Sequence, residues 1–198
     1  PIVYLFATRN NILIFLTGWD FSVFNLWHRW LARLVVLEAI AHGAAYHIMD
    51  SRAGTLRDHW GQAYWIWGFV ALMSWAIMCV HGAAQLRRLA YDVFLVGHIV
   101  LSVVSLVGMH VHLWYTDQTK ISWYICVAFW AADRLLRLVR IAVNGFAVQA
   151  TLTQDTQDTL SLHVQTPPRF KFSSGSYVFV HFWHPLLFWQ SHPFTVVP

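Results

Sequence analysis

Four histidines carry the chemistry most open to reading in this chain. His28 and His42 lie fourteen residues apart in one apolar segment, and His98 and His112 lie fourteen apart in another. In an α-helix fourteen residues turn through roughly 1400°, about 40° short of four full turns, so both members of a pair share a face. They also stand about 21 Å apart along the axis. Imidazole is a ligand of haem iron, and a membrane is a costly place for a polar ring. Two parallel helices, each with a histidine near either end, could clamp two stacked haems and pass electrons across a bilayer.

The elements that must position these rings are membrane spans. The chain is 58% hydrophobic with a mean hydropathy of +0.49, and 11% of its residues are charged, against about 25% in soluble domains. Twelve Trp and fourteen Phe suit aromatic belts at membrane interfaces. The net charge of +4 does not point to nucleic acid, because the arginines cluster beside apolar spans, where orientation and lipid headgroups account for them. Cys79 and Cys126 are too few for a disulfide framework and sit inside apolar runs as packing residues.

Residues 1–7 read as the tail of an apolar segment, followed by a polar break at Thr8-Arg9-Asn10-Asn11 and a loop or interfacial stretch around Gly18 and Asp20. Complete spans are expected at about 27–48, 62–80, 93–114 and 121–143, the last amphipathic toward its end through Asp133, Arg134, Arg137 and Arg140. Loops are expected at 49–61 and 115–120, and a basic turn at Arg87-Arg88. After Asn144-Gly145, segments 146–152, 159–165 and 176–182 alternate like strands, with a break at Thr166-Pro167-Pro168. The fold class expected is mostly α, a transmembrane bundle of four complete spans and a partial one, then the beginning of a β domain. The chain opens on Pro1 and stops at Pro198 in mid-motif, so it reads as a piece of a longer protein, truncated at both ends.

If the spans alternate, Arg9, Arg29, Arg33, Arg87, Arg88, Arg134, Arg137 and Arg140 fall on one side, and Arg52, Arg57 and Lys120 on the other. The arginine-rich side is then cytosolic, and the β domain hangs from it. The histidine-bearing spans are separated by one span and run parallel. His28 must therefore pair with His98 on the inner side, and His42 with His112 on the outer side. The other histidines serve as controls. His110 is about 120° off the face of His98 and is read as packing, although it is the one substitute for His112; His47 is about 140° from His42. His59 lies in a loop, and His81 at a cytosolic helix end. Arg29 and Arg33 could pair with haem propionates or could simply anchor the helix at the interface. Glu38, one turn before His42, is either a functional intramembrane carboxylate or a neutral structural one.

The motifs around these residues resemble those of the fungal ferric/cupric reductase transmembrane components, within the ferric reductase and NADPH oxidase superfamily. The resemblance rests on Ala7-Thr8-Arg9-Asn10-Asn11, Leu16-Thr17-Gly18, Leu26-Trp27-His28-Arg29-Trp30 with His42, Gly97-His98-Ile99-Val100 with Gly108 and His112, and His192-Pro193-Phe194-Thr195. It implies two b-type haems, FAD in a β barrel and NADPH as donor, with electrons passing to Fe(III) or Cu(II) chelates outside. It also implies that His192 lies near the flavin phosphate or ribityl chain, that Phe194 packs on the isoalloxazine and that Thr195 reaches toward its N5, with Pro193 in the same motif. Ser174-Gly175-Ser176-Tyr177 stands where the family often has Pro-Gly-Gln-Tyr. No Gly-rich nicotinamide fingerprint is present, so the nicotinamide-binding domain is absent from these residues.

The domains expected are a haem-bearing transmembrane domain at 1–143 and a partial FAD-binding domain at 144–198. The expected protein is a multi-pass ferric-chelate reductase of the plasma membrane that uses no side chain as nucleophile or general base. Its outer acceptor site is expected near the loops at 49–61 and 115–120, where Asp50, Asp58, Asp117 and His59 could attract cationic metal. The alternatives are a superoxide-generating NADPH oxidase, against which the fourteen/fourteen spacing argues, and a truncated, non-catalytic haem-binding membrane protein.

Overall fold

The computed structural model describes residues 1–115, 120–145, 148–157, 159–165, 177–182 and 191–196. The chain divides into two compact units, Pro1–Arg137 and Leu138–Pro198. The first begins with two short helices, α1 (Ile2–Ala7) and α2 (Ile12–Thr17), joined by the polar break. Asn11 caps α2 by accepting from the Leu13 N–H, and Gly18 ends it in the left-handed region at φ 69°.

The long helix α3 (Phe21–Ala53) follows, its first turn capped by Asp20, whose carboxylate accepts from the Ser22 N–H at 2.7 Å. That bond holds the exposed Asp20 carboxyl below the usual carboxylate range. At 33 residues α3 is about 50 Å long and exceeds the roughly 30 Å hydrocarbon layer. Gly54 stops it with φ 73°, and the reversed chain enters the short α4 (Leu56–His59). The expected loop at 49–61 is therefore largely helical. Next come α5 (Ala63–His81), α6 (Ala84–Leu89) where a basic turn was expected, α7 (Tyr91–Trp114) and α8 (Ile121–Asn144).

Among the described residues, α3, α5 and α7 are long and apolar enough to span a membrane. The fourth expected span, α8, has the length but carries Asp133, Arg134, Arg137 and Arg140 in its second half, which lowers its hydropathy. What the first unit buries is mostly small or polar: Ala71, Ser74 and Ser105 lie inside, while Leu34, Leu37, Val96, Val100 and Val103 face outward. Water would not tolerate so much apolar surface; lipid does.

Small residues set the closest approach, between α5 and α7. A methyl group added at Gly108 would stand 2.9 Å from the Trp67 carbonyl oxygen and 3.3 Å from the Ala71 nitrogen, so backbone meets backbone there. Gly68, Ala71 and Ser74 recur every three residues on α5, opposite Ser105 and Gly108 on α7.

The polar break is tied to α8. Asp133 is 4% exposed and accepts from the Asn10 backbone N–H at 3.2 Å and from its side-chain amide at 3.0 Å, and it pairs with Arg137 one turn on. Trp123, also on α8, donates its indole N–H to the Leu106 carbonyl of α7 at 2.8 Å.

In the second unit, β1 (Ala150–Gln154) pairs antiparallel with β2 (Leu160–Val164), and β3 (Tyr177–Val180) with β4 (His192–Thr195). Strands β2 and β3 fall inside the segments expected from alternation, β1 begins inside its segment and runs two residues past it to Gln154, and β4 is a strand where only a motif was read. The expected break at 166–168 lies outside the described residues.

Because Asp133 is a buried carboxylate serving both Asn10 and Arg137, its removal leaves a guanidinium and an amide unmet. Asp133→Ala is expected to cost about 3 kcal/mol or more, read as a lowered melting temperature in detergent. A melting curve unchanged from wild type would remove Asp133 as the clasp between the polar break and α8.

Candidate functional site

The two histidine pairs meet as their spacing requires. The rings of His28 on α3 and His98 on α7 are 6.2 Å apart between centroids, at an interplanar angle of 71°. Those of His42 and His112 are also 6.2 Å apart, at 89°. The helices α5 and α7 pack closely, whereas α3 meets α7 mainly through these facing rings. The two imidazole pairs lie toward opposite ends of the stretch that the two histidine-bearing helices share.

Two of the four rings are oriented by backbone carbonyls. His28 Nδ1 lies 2.9 Å from the Val3 carbonyl of α1, and His112 Nδ1 lies 2.9 Å from the Tyr64 carbonyl of α5. A carbonyl can only accept, so each Nδ1 carries the proton and each Nε2 keeps its lone pair. That is the tautomer a metal-ligating histidine needs. His98 has a buried Nδ1 with no hydrogen-bond partner among the described residues, a nitrogen that burial makes costly to leave unmet. Its ring stacks toward Phe94 at 5.5 Å, which in turn lies 5.6 Å from His81.

The seat of His112 depends on a missing side chain. A methyl group at Gly68 would lie 2.5 Å from His112 Nδ1 and 2.9 Å from its Cε1, well inside van der Waals contact. No sequence signal singled out Gly68, because it acts through a neighbour 44 residues away. The expected substitute, His110, turns away: its ring packs on Trp123 at 4.5 Å and on Trp114 at 5.3 Å. His81 sits against Gly97, with its Cε1 3.1 Å from where a methyl group would be.

Arg29 is half-buried, with an Nε that has no hydrogen-bond partner among the described residues, whereas Arg33 is exposed and lies over the Trp30 ring at 4.9 Å. Glu38 is exposed on α3. Burial and the neighbouring Arg137 charge draw Arg9 down to about 10, which leaves it charged at neutral pH.

In the second unit, the motif at 192–195 forms β4, in register with β3: Tyr177 opposes Thr195, Val178 opposes Phe194, and Val180 opposes His192. Phe182 lies 6.0 Å from the His192 ring and 6.2 Å from the Phe194 ring. Gly175 lies outside the described residues. Strand pairing thus brings Tyr177 and the motif together, a link that spacing alone does not reveal.

Three long apolar helices with outward apolar faces make this an integral membrane protein. Residues 1–109 match the family described as ferric reductase like transmembrane component, and residues 143–198 match an FAD-binding domain family. The chain belongs to the ferric reductase transmembrane component family. It is 38% identical over 195 residues to a probable ferric reductase transmembrane component of Candida albicans, covering 98% of this chain and 29% of that protein. It is 38% identical over 203 residues to ferric reductase transmembrane component 3 of Saccharomyces cerevisiae, covering 100% of this chain and 28% of that one. To ferric/cupric reductase transmembrane component 2 of the same yeast it is 36% identical over 199 residues, covering 100% and 28%. The chain therefore spans less than a third of the length of these relatives. No solved structure matches it.

The Gly68 contact can be tested against a second glycine in the same bundle. A methyl group at Gly43 meets only Leu72 Cδ2, at 3.4 Å, so Gly43→Ala should be neutral or stabilise by up to about 1 kcal/mol. Gly68→Ala should lower the melting temperature, and adding His112→Ala should remove that penalty. A Gly68→Ala protein as stable as Gly43→Ala with His112 intact would show that the ring does not occupy that place.

Proposed function

We propose that the chain is the electron-conducting core of a ferric-chelate reductase, with residues 1–143 as its haem domain and 144–198 as part of its flavin domain. One observation supports this reading above the others: two imidazole pairs with the same 6.2 Å separation, on the same two helices, about four helical turns apart. That ring separation would suit a single iron shared by the two imidazoles of each pair. The residues fit two haems b: His28 and His98 would hold the iron of the inner one, and His42 and His112 that of the outer. When bound, haem and FAD supply the redox chemistry, with NADPH giving a pair of electrons that leave singly.

What the protein does is hold and orient. The Val3 and Tyr64 carbonyls fix the Nδ1–H tautomers of His28 and His112, leaving their Nε2 lone pairs for iron. Gly68 and Gly108 supply the clearance that lets α7 present both of its histidines to α3. Arg29, whose buried Nε lacks a partner, is suited to a propionate; Arg33 is better suited to the membrane interface. In the second unit, His192, Pro193, Phe194 and Thr195 take the flavin, with the aromatic face of Phe194 for its flat ring and the Thr195 hydroxyl for a ring nitrogen. No side chain serves as nucleophile or general base.

The arginine bias of the span ends supports a cytosolic flavin unit and an outer pair toward the exterior. The membrane is the plasma membrane, and the acceptors are ferric or cupric chelates, in keeping with relatives named ferric and ferric/cupric reductases.

A dithionite-reduced minus oxidised visible spectrum, with haem measured per protein, tests the reading. Two b-type haems are expected, falling to one in His42→Ala and in His112→Ala, while His110→Ala keeps both. No haem, or a content unmoved by His42→Ala and His112→Ala, would leave a helix bundle with paired histidines and no conduction.

A further inference from the structure

Beside the outer histidine pair, three side chains from three helices converge on one point. Asp50 stands on the last turns of α3, eight residues and about 12 Å along the axis beyond His42. Its own backbone carbonyl accepts from the N–H groups of Gly54 and Thr55, and this cap turns the chain back through α4. The reversal brings His59 Nδ1 to 3.2 Å from Asp50 Oδ2. Tyr64, on the first turn of α5, places its hydroxyl oxygen 3.1 Å from the same nitrogen.

One ring nitrogen faces two oxygens and can satisfy only one of them. Asp50 is 6% exposed, and its buried Oδ2 makes no hydrogen bond of good geometry among the described residues and has only the contact to the shared His59 nitrogen. A buried carboxylate oxygen left in that state is costly. A cation at the convergence would satisfy all three atoms together. Donors at about 2.1 Å in neighbouring positions of an octahedral metal are about 3.0 Å apart, close to both separations seen here.

We infer that Asp50, His59 and Tyr64 form the docking site for the ferric ion that the protein reduces. The inference rests on the proposed function and names where its substrate is held. The donor set selects the metal: a carboxylate and a phenolate are hard anionic oxygens that suit Fe(III), and tyrosinate is an established iron ligand. Among the described residues no group of three or more His, Cys, Asp and Glu side chains is set to hold a metal; the third donor of this site is a tyrosine. Asp58, expected to join such a site, is exposed on α4, and Asp117 lies outside the described residues. Three protein donors leave the other positions for the oxygens of a chelator.

Placement ties this site to the electron path. The Tyr64 ring lies 6.2 Å from the His59 ring and 6.3 Å from the His112 ring, and the Tyr64 carbonyl accepts from His112 Nδ1. A single residue thus touches both the docked ion and a histidine of the outer pair. On binding, Fe(III) displaces the phenol proton to solvent. One electron delivered at the outer pair converts Fe(III) to Fe(II), the bond to the phenolate weakens, and the proton returns to the oxygen as Fe(II) leaves.

The test uses the intact, oxidised protein in detergent without an electron donor, incubated with radiolabelled ferric citrate. One ferric ion per chain is expected to remain bound. Tyr64→Phe and Asp50→Asn should each weaken retention by about tenfold or more and, in a separate turnover assay of the full-length reductase with NADPH, raise the KM for ferric citrate more than they lower kcat. The haem difference spectrum of each variant reports separately on folding and on the haem reading. Should Asp50→Asn fail to fold, Tyr64→Phe, which keeps the ring and the backbone carbonyl, carries the test alone. Wild-type retention and KM in a Tyr64→Phe protein with a normal haem spectrum would overturn the ferric site and leave the conduction path standing.

Discussion

The hydrogen bond from His112 Nδ1 to the Tyr64 carbonyl, 2.9 Å long, is the interaction on which the outer half of the bundle depends. It crosses from α7 to α5, and it exists because position 68 has no side chain to occupy the space of the ring. In the low-dielectric interior of a membrane an unmet ring N–H is expensive, so the bond does more than stabilise. It fixes the ring's rotation, and with it which nitrogen is protonated and which is bare. The 89° angle with His42 follows from that rotation. The same Tyr64 then extends its side chain toward His59 and Asp50, so one residue of α5 ties the interior ring to the outer end of the bundle.

The inner pair is held by the same device from a different helix. His28 is oriented by the Val3 carbonyl of α1, not by a side chain. Both anchors are backbone groups near helix ends. Val3 stands in the six-residue α1 and Tyr64 in the first turn of α5. In lipid the carbonyl is the acceptor always available at no cost in charge, and it cannot titrate. The buried side-chain carboxylates are Asp50 and Asp133, whereas Glu38, between the two histidines of α3, is exposed. Two of the four imidazoles are thereby oriented without a charged side chain as their hydrogen-bond partner.

Periodicity made most of this visible in the primary structure. The fourteen-residue spacing placed His28 with His98 and His42 with His112 on facing helices, and hydropathy located α5 and α7 to within two residues, because a 3.6-residue repeat and an apolar run are properties of single segments. What stayed hidden was set by contacts between segments or by backbone atoms. The continuation of α3 to Ala53 depends on a left-handed Gly54 and its cap, where polar composition suggested a loop. The carbonyls of Val3 and Tyr64 have no residue-type signature at all. Gly68 and Gly108 matter only for what lies across from them. The motif at His192–Thr195 was legible as chemistry but not as a strand, since its pairing with Tyr177–Val180 joins residues far apart in the chain.

The interval between the pairs has a consequence of its own under the proposed reading. Two ligand pairs about 21 Å apart span roughly two thirds of a 30 Å hydrocarbon layer. Each pair then lies a few ångströms inside one interface, where neither lipid nor water alone surrounds it. That depth explains why the polar partners are found where they are. Arg29 follows directly on His28, whereas Asp50 lies two turns beyond His42, past the apolar layer. A shorter interval would draw both pairs toward the middle of the bilayer, out of reach of such groups; a longer one would push them into the headgroups, where water competes for the ring nitrogens. Four helical turns between histidines is the repeat that keeps both rings on one face and still leaves each within reach of its own side of the membrane.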